Sequence, residues 1–287
     1  MAVKRVIQVY KAPHQWISSP PGLGDFVRGI CHLVEKLRGS GIELRVDVSQ
    51  TGFAALIEQD PQIFQAGDEH RIASAEEYFV DHAALHERLV AFLHSDESEL
   101  YVCTNCGAWN RTTIPDDVRS YARKFYCFID SIEHTVAQAL PVPHYEVLSV
   151  RCGDKFYSDP GGHISKDIEP VIFSIIETQV LPRLRFPLVV TSECYELKLA
   201  LQKRYGMHAL QHRSKHGAFE SDSAQPVVMD MCMLKHSCFN HHINTWATWW
   251  SGFSHYTSVV FQIPSANFRA PQFLREGITS QGELSCG

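Results

Sequence analysis

Apolar positions along the chain switch between two periods, and the switching predicts its architecture. Val6 to Tyr10 is a short, β-branched run that predicts a strand. Phe26, Ile30, Leu33 or Val34, and Leu37 recur three or four apart and predict one face of a helix. Gly39 and Gly41 close that helix, and Leu44 to Val48 predicts the next strand, completing a strand, crossover helix, strand unit of the length a parallel sheet requires. Between 51 and 98 the periodicity is thinner, with helices expected around Phe53 to Glu58 and Ala75 to Phe92 and a turn at Asp60-Pro61. Leu100 to Cys103 predicts a strand, and Tyr121, Phe125, Phe128, Ile132, Val136 and Ala139 predict one long amphipathic helix.

That helix must end before Pro141-Val142-Pro143, where proline removes the backbone donors a helix needs and stiffens the crossing. The boundary between two domains is therefore expected there, with 1–142 and 143–287 as the halves. Beyond it the pattern restarts. Strands are expected at Val147 to Val150 and Pro187 to Thr191, with helices through Ile168 to Ile176 and over Tyr195 to Tyr205. A helix around Val228 to Leu234, a strand at His242 to Asn244, a Trp-rich helix over Thr245 to Phe253 and a strand at Ser258 to Ile263 follow, before a polar, loose end from Gly277. The fold class is α/β, two wound sheets in series.

Composition narrows the function classes. With 45% hydrophobic and 20% charged residues the chain is ordinary for a globular protein, and its net charge of −6 offers no basic field for nucleic acid or an anionic membrane. No run approaches the roughly 18 apolar residues of a membrane span, and the charged N-terminal stretch is too short for a signal region, so a cytoplasmic protein is expected. Nine scattered cysteines read as reduced thiols.

Three segments carry the candidate chemistry. Gly22-Leu23-Gly24-Asp25-x-x-Arg28-Gly29 lies between a strand and a helix, where glycines admit a ligand and helix N–H groups attract an anion, although Asp25 also suits a plain N-cap. Ser149-Val150-Arg151-Cys152-Gly153-Asp154-Lys155 ends the second half's first strand, and ligands in open α/β sheets bind outside the carboxyl ends of strands. A guanidinium there can hold a diphosphate; the alternative is an Arg–Asp pair that closes a loop. Asn244-Thr245-Trp246-Ala247-Thr248-Trp249-Trp250 offers hydroxyls for phosphate oxygens, with Thr245 equally suited to capping a helix and the tryptophans suited to packing.

In this order and spacing the three segments resemble the GDP-fucose-dependent fucosyltransferase superfamily, which spans nodulation, α1,2-, α1,6- and protein O-fucosyltransferases. Ser149-x-Arg151-x-Gly153-Asp154 is similar to its H-x-R-x-G-D motif, and Asn244-Thr245-x-x-Thr248-Trp249-Trp250, with Asp230 upstream, is similar to the N-S-x-x-S-W-W segment of the α1,2 branch. The resemblance implies a GT-B-like fold, two Rossmann-like domains facing across a cleft, with the acceptor taken by the first and the donor by the second. It implies an inverting, metal-independent glycosyltransferase that moves a sugar, fucose favoured, from a nucleoside-diphosphate donor to a glycan hydroxyl, with no metal or other cofactor. The donor-binding set is Gly22, Gly24, Arg28, Arg151, Gly153, Asp154, Ser192, Glu193, Asp230, Asn244, Thr245 and Thr248. Arg151 would meet the phosphate, Asp230 the guanine or ribose, and Thr245 and Thr248 the diphosphate. Arg151 and Asp25 are the catalytic candidates, Asp25 as general base with Glu193 as its rival.

Two departures bear on the donor. Ser149 stands where the family carries His, and Cys152 where many members carry a second Arg, so Lys155 or Arg28 must supply the missing charge or the donor is another UDP- or GDP-linked sugar such as a xylosyl or rhamnosyl donor. A non-catalytic nucleotide- or glycan-binding protein on the same scaffold is the competing class. A dehydrogenase is disfavoured because the full G-x-G-x-x-G is missing. Cys103-x-x-Cys106 lacks a second pair to complete a zinc site, and the mixture of Cys232, His236, Cys238, His241 and His242 could bind zinc, although the flanking helix and strand already explain its apolar members.

Overall fold

A computed structural model describes residues 3–10, 22–66, 78–79, 81–108, 111–140, 142–152, 168–214, 221–245, 251–269 and 283–285. The chain divides into two compact units. One is drawn from residues 1–108, 114–129 and 217–225, the other from 109–113, 130–216 and 226–287.

The first unit holds strands β1 (Arg5–Val9), β2 (Glu43–Asp47), β3 (Tyr78–Phe79) and β4 (Glu99–Thr104), ordered β2-β1-β4-β3 with all three pairings parallel. Helix α1 (Leu23–Leu37) buries Phe26, Val27, Ile30 and Leu33, the face its sequence period predicts. Gly39 and Gly41 follow it at φ 74° and 73°, conformations glycine adopts without a Cβ penalty. Helix α2 (His82–His94) is capped by the Asp81 carboxylate, which accepts from Ala83 N at 2.6 Å.

The long helix expected over Tyr121 to Ala139 is two helices, α3 (Asp116–Phe125) and α4 (Asp130–Ala139). The break at Tyr126 to Ile129 is stabilised by extended pairing with residues 56–58: Glu58 N donates to Cys127 O at 2.7 Å and Ile129 N to Leu56 O at 3.2 Å. Those backbone bonds keep the apolar spacing in register across a non-helical joint, so periodicity alone could not detect it. Helix α4 groups with the second unit.

The second unit's sheet, β5 (Glu146–Arg151), β6 (Leu188–Ser192), β7 (Phe239–Asn244), β8 (Ser265–Arg269) and β9 (Glu283–Ser285), is ordered β6-β5-β7-β8-β9 and is parallel except for β9. One face is aliphatic: Leu148, Val150, Val190, Ile243 and Phe268 pack with Ile172 and Ile176 of the α5 (Glu169–Ile175) region and Leu197 and Leu201 of α6 (Tyr195–Tyr205). The opposite face, beneath α8 (Gly252–Phe261), is buried but polar. Asn240 Nδ2 donates to Ser258 Oγ at 2.8 Å, His242 Nε2 meets the same oxygen at 3.2 Å, and His255 Nε2 donates to Arg111 O at 2.6 Å.

Helix α8 corrects the strand expected at Ser258 to Ile263. Residues Ser254 to Val260 are buried on every side, so the stretch lacks an amphipathic period, and its β-branched content imitates a strand. The helix expected around Val228 to Leu234 is longer at its start: α7 (Ser221–Lys235) begins seven residues earlier and runs through Pro226. Most of the Trp-rich stretch lies outside the described residues, and of the end expected to be loose, Glu283–Ser285 pairs with β8. Among the described residues no helix is long and apolar enough to cross a membrane.

Candidate functional site

Each sheet has a first strand flanked on both sides by later ones, so the chain leaves it in opposite directions, and a loop crevice opens at the carboxyl ends beside such a switch point. In the second unit that point lies between β5 and β7. Register there is fixed: Arg151 pairs with Asn244, and Asn244 with Arg269. In parallel strands such partners share a face, so the last residues of β5, β7 and β8 form a row on the polar face, with Arg151 and Arg269 two strand spacings, roughly 10 Å, apart.

The strand ends are laced together by their own polar groups. Thr245, fully buried, donates its backbone N–H to Arg151 O at 3.1 Å and its hydroxyl to the same carbonyl at 2.9 Å. Glu193 Oε1 accepts from Cys152 N at 2.7 Å. Ser192 Oγ donates to Val150 O at 2.8 Å and accepts from Cys194 N at 3.1 Å. Ser192, Glu193 and Thr245 thus hold the main chain around Arg151, whose side chain is half-buried at the rim. The Cys152 thiol is pushed up by its hydrogen bond with Cys194 and by burial. Cys152 is wholly buried and Ser149 nearly so, so the positions where the resembling family carries Arg and His hold small, packed side chains.

Asp230 sits deeper. Ser214 Oγ donates to its Oδ2, and His212 Nε2 meets its Oδ1 at 3.1 Å. Burial pushes this carboxyl up, but the His212 hydrogen bond and charge, the Lys198 ammonium and Ser214 outweigh it and hold it below the usual carboxylate range. Lys198, itself buried, donates to His212 O at 2.7 Å.

The first unit's switch point, between β1 and β4, receives the glycine segment. Gly22 caps α1 at φ −60°, and Gly24 lies inside the helix. The glycine with a steric role is Gly29, where a Cβ would sit 2.0 Å from Thr104 O, so its absence lets α1 approach β4 closely. Arg28 is 1% exposed; its Nε donates to Asn105 O at 2.7 Å and its Nη1 lies 3.2 Å from Asp25 Oδ1. Gly107, at φ 142°, makes room for the Arg28 stem.

Of the predicted residues, Arg151, Ser192, Glu193, Asn244 and Thr245 come together at one rim; Asp25 and Arg28 belong with Gly22 and Gly24 to the other unit, and Asp230 lies in its own buried network. Gly153, Asp154, Lys155 and Thr248 lie outside the described residues. Arg269 was missed because the strand that carries it was expected seven residues earlier; a β-branched-poor run ending in Arg just before Pro271 was its only sequence signal.

The chain matches no protein-family model, and no curated protein is detectably similar to it. Solved structures are similar along its whole length. NodZ alpha-1,6-fucosyltransferase soaked with GDP-fucose superposes with a TM-score of 0.56 at 11% identity, covering 99% of each chain. Fucosyltransferase NodZ from Bradyrhizobium gives 0.54 at 12% identity, covering both chains fully. A point mutant of Arabidopsis thaliana FUT1 in complex with GDP gives 0.59 at 12% identity, covering 94% of this chain and 71% of that one. At such identities the likeness is one of fold: the chain shares the α/β architecture of these fucosyltransferases.

Proposed function

We propose that the protein is an inverting, metal-independent glycosyltransferase that moves a sugar, fucose favoured, from a nucleoside-diphosphate donor to a glycan hydroxyl in the cytoplasm. The donor is assigned to the second half and the acceptor to the first. The reading is carried by Arg151, a half-buried arginine at the carboxyl end of β5, beside a switch point where Thr245 and Glu193 hold the backbone. Support comes from the full-length likeness of fold to NodZ structures solved with GDP-fucose and with GDP.

In the proposed reaction an acceptor hydroxyl attacks the anomeric carbon while the bond to the departing phosphate oxygen breaks, and negative charge builds on the nucleoside diphosphate. Arg151 stabilises that charge, an electrostatic contribution available only as the transition state forms. Cys152 offers no second guanidinium, and Arg269, on the same row of the sheet, supplies the further positive charge the phosphates require. Asp25 is the proposed proton acceptor and Glu193 the other carboxylate at a strand–helix junction.

A thermal-shift panel of nucleoside diphosphates followed by nucleotide release from GDP-fucose tests the reading. Stabilisation by GDP together with release of GDP in the presence of glycan acceptors is expected. Stabilisation by UDP in place of GDP moves the donor class, and stabilisation without any release makes the protein a binding module.

A further inference from the structure

The amino end of the second sheet, opposite the carboxyl ends that carry Arg151, holds a cluster that the proposed transferase chemistry does not use. Helix α7 ends there and β7 starts, and Cys232 and His236, four apart, lie on one face of that helix end. Glu133, in the first turn of α4, reaches both: its Oε2 accepts from His236 Nε2 at 2.7 Å and from Cys232 Sγ at 3.1 Å. The three candidate ligand atoms lie within 4.8 Å of one another. The other members of the mixed Cys and His segment are engaged elsewhere, Cys238 with His144 at 4.0 Å, His241 with Glu146 at 2.6 Å and His242 with Ser258.

We infer that Glu133, Cys232 and His236 form a binding site for a zinc-class divalent cation that clamps α4 to the C-terminal end of α7. Carboxylate oxygen, imidazole nitrogen and thiolate sulfur are the donor types zinc takes, and three protein ligands leave one position for water. Tetrahedral zinc at ordinary bond lengths sets its ligand atoms roughly 3.3–3.6 Å apart, so the carboxylate oxygen, now 2.7 Å from the imidazole nitrogen and 3.1 Å from the sulfur, must draw back from each by about half an ångström. Glu133 divides its oxygens, Oε2 toward Cys232 and His236 and Oε1 toward the Lys235 ammonium; a ligating carboxylate is commonly oriented by such an outer partner. The C-terminal end of α7 turns the negative end of its dipole toward the cluster, which favours a cation. A groove of about 810 Å³, lined in part by Asp130, His134 and Tyr145 besides Glu133 and His236, gives an entry path and room for the fourth ligand. On ligation the Cys232 thiol gives its proton to solvent.

The test uses the full chain, purified reduced and without a histidine tag, and titrated with Co²⁺ and then Zn²⁺. One equivalent of Co²⁺ with a near-ultraviolet thiolate charge-transfer band, displaced by Zn²⁺, is expected. Cys232→Ser should abolish the band, and Glu133→Gln or His236→Ala should weaken binding about tenfold or more, whereas Cys238→Ser, a neighbouring thiol, should change nothing. Absence of a thiolate band in the parent protein, or a band that survives Cys232→Ser, overturns the site. Should Cys232→Ser fail to fold, Glu133→Gln with unchanged Co²⁺ affinity overturns it equally. None of these readouts depends on transferase activity.

Discussion

Each unit places an arginine where the first strand or first helix meets the switch point of its sheet, and the two arginines are treated in opposite ways. Arg28 is buried whole, with Asn105 O and Asp25 on its guanidinium and Gly107 cut away to admit its stem. At Arg151 it is the backbone that is gripped, by Thr245, while the side chain remains half-buried at the rim. A guanidinium folded inward serves its own loop; an arginine that ends a strand at a switch point, with its main chain pinned, is placed to meet an external anion. Similar motifs in sequence can therefore differ in chemistry according to which part of the residue the fold restrains.

Arg151→Ala is the strongest way to break that comparison. Loss of a preorganised charge-stabilising donor lowers turnover by about 10²–10³-fold or more. Nucleotide release should fall by that factor with an unchanged melting temperature. Turnover within about threefold of the parent would remove Arg151 from the site.

Arg28→Ala should act on stability instead. Removing the cation leaves Asp25 and the Asn105 carbonyl without it around a largely buried site, which costs about 3–5 kcal/mol when a buried pair is broken, less here because Asp25 is partly exposed. Urea unfolding should show an earlier midpoint. Gly29→Ala gives an independent check, since its Cβ would meet backbone at 2.0 Å and α1 must shift at a cost of about 1–3 kcal/mol. If Arg28→Ala kept full stability but lost nucleotide binding, the two arginines would be alike after all.

How much of this could be read in the sequence depended on burial. Strands β1, β2 and β5 and helix α1 announced themselves because each presents a clear apolar run or period between turn residues. Helix α8 did not, because burial on all sides erases the period, and the joint between α3 and α4 did not, because backbone bonds from residues 56–58 replace the helical ones there. At the site, Arg151 was legible from its place at a strand end. The Thr245 and Glu193 bonds that restrain its backbone were not, since they join residues 94 and 41 positions apart and depend on strand order. Arg269 was lost together with its strand.

The polar face of the second sheet separates the units further. Burial lowers His255 to about 4 despite its hydrogen bond to Arg111 O, and burial with two neighbouring histidines lowers His242 well below its ordinary value. Their folded values lie under the unfolded value near 6.5, so the unfolded chain takes up these protons first. Their neutral forms are fully accommodated above about pH 6.5, and stability falls as pH drops from there toward 4. For His255 alone the loss is of order 3 kcal/mol across that window. Urea midpoints measured between pH 7 and 4 should fall accordingly, and His255→Gln should flatten the slope. An unchanged slope would place the acid-sensitive groups elsewhere.

The smallest effect sharpens the comparison most, because it concerns a residue on the same row as Arg151. Arg269 ends β8 as Arg151 ends β5, with Asn244 between them in register. About 10 Å separates the two backbones, a distance that two long side chains can close around one diphosphate. If the row is the phosphate platform, Arg269→Ala should weaken nucleoside-diphosphate binding about tenfold, the equivalent of about 1.4 kcal/mol, with an unchanged melting temperature. A nucleoside lacking phosphates should bind parent and variant equally. Equal weakening for the nucleoside would instead mean that Arg269 acts on the base or on the fold, and would leave Arg151 as the one described cation tested at that rim.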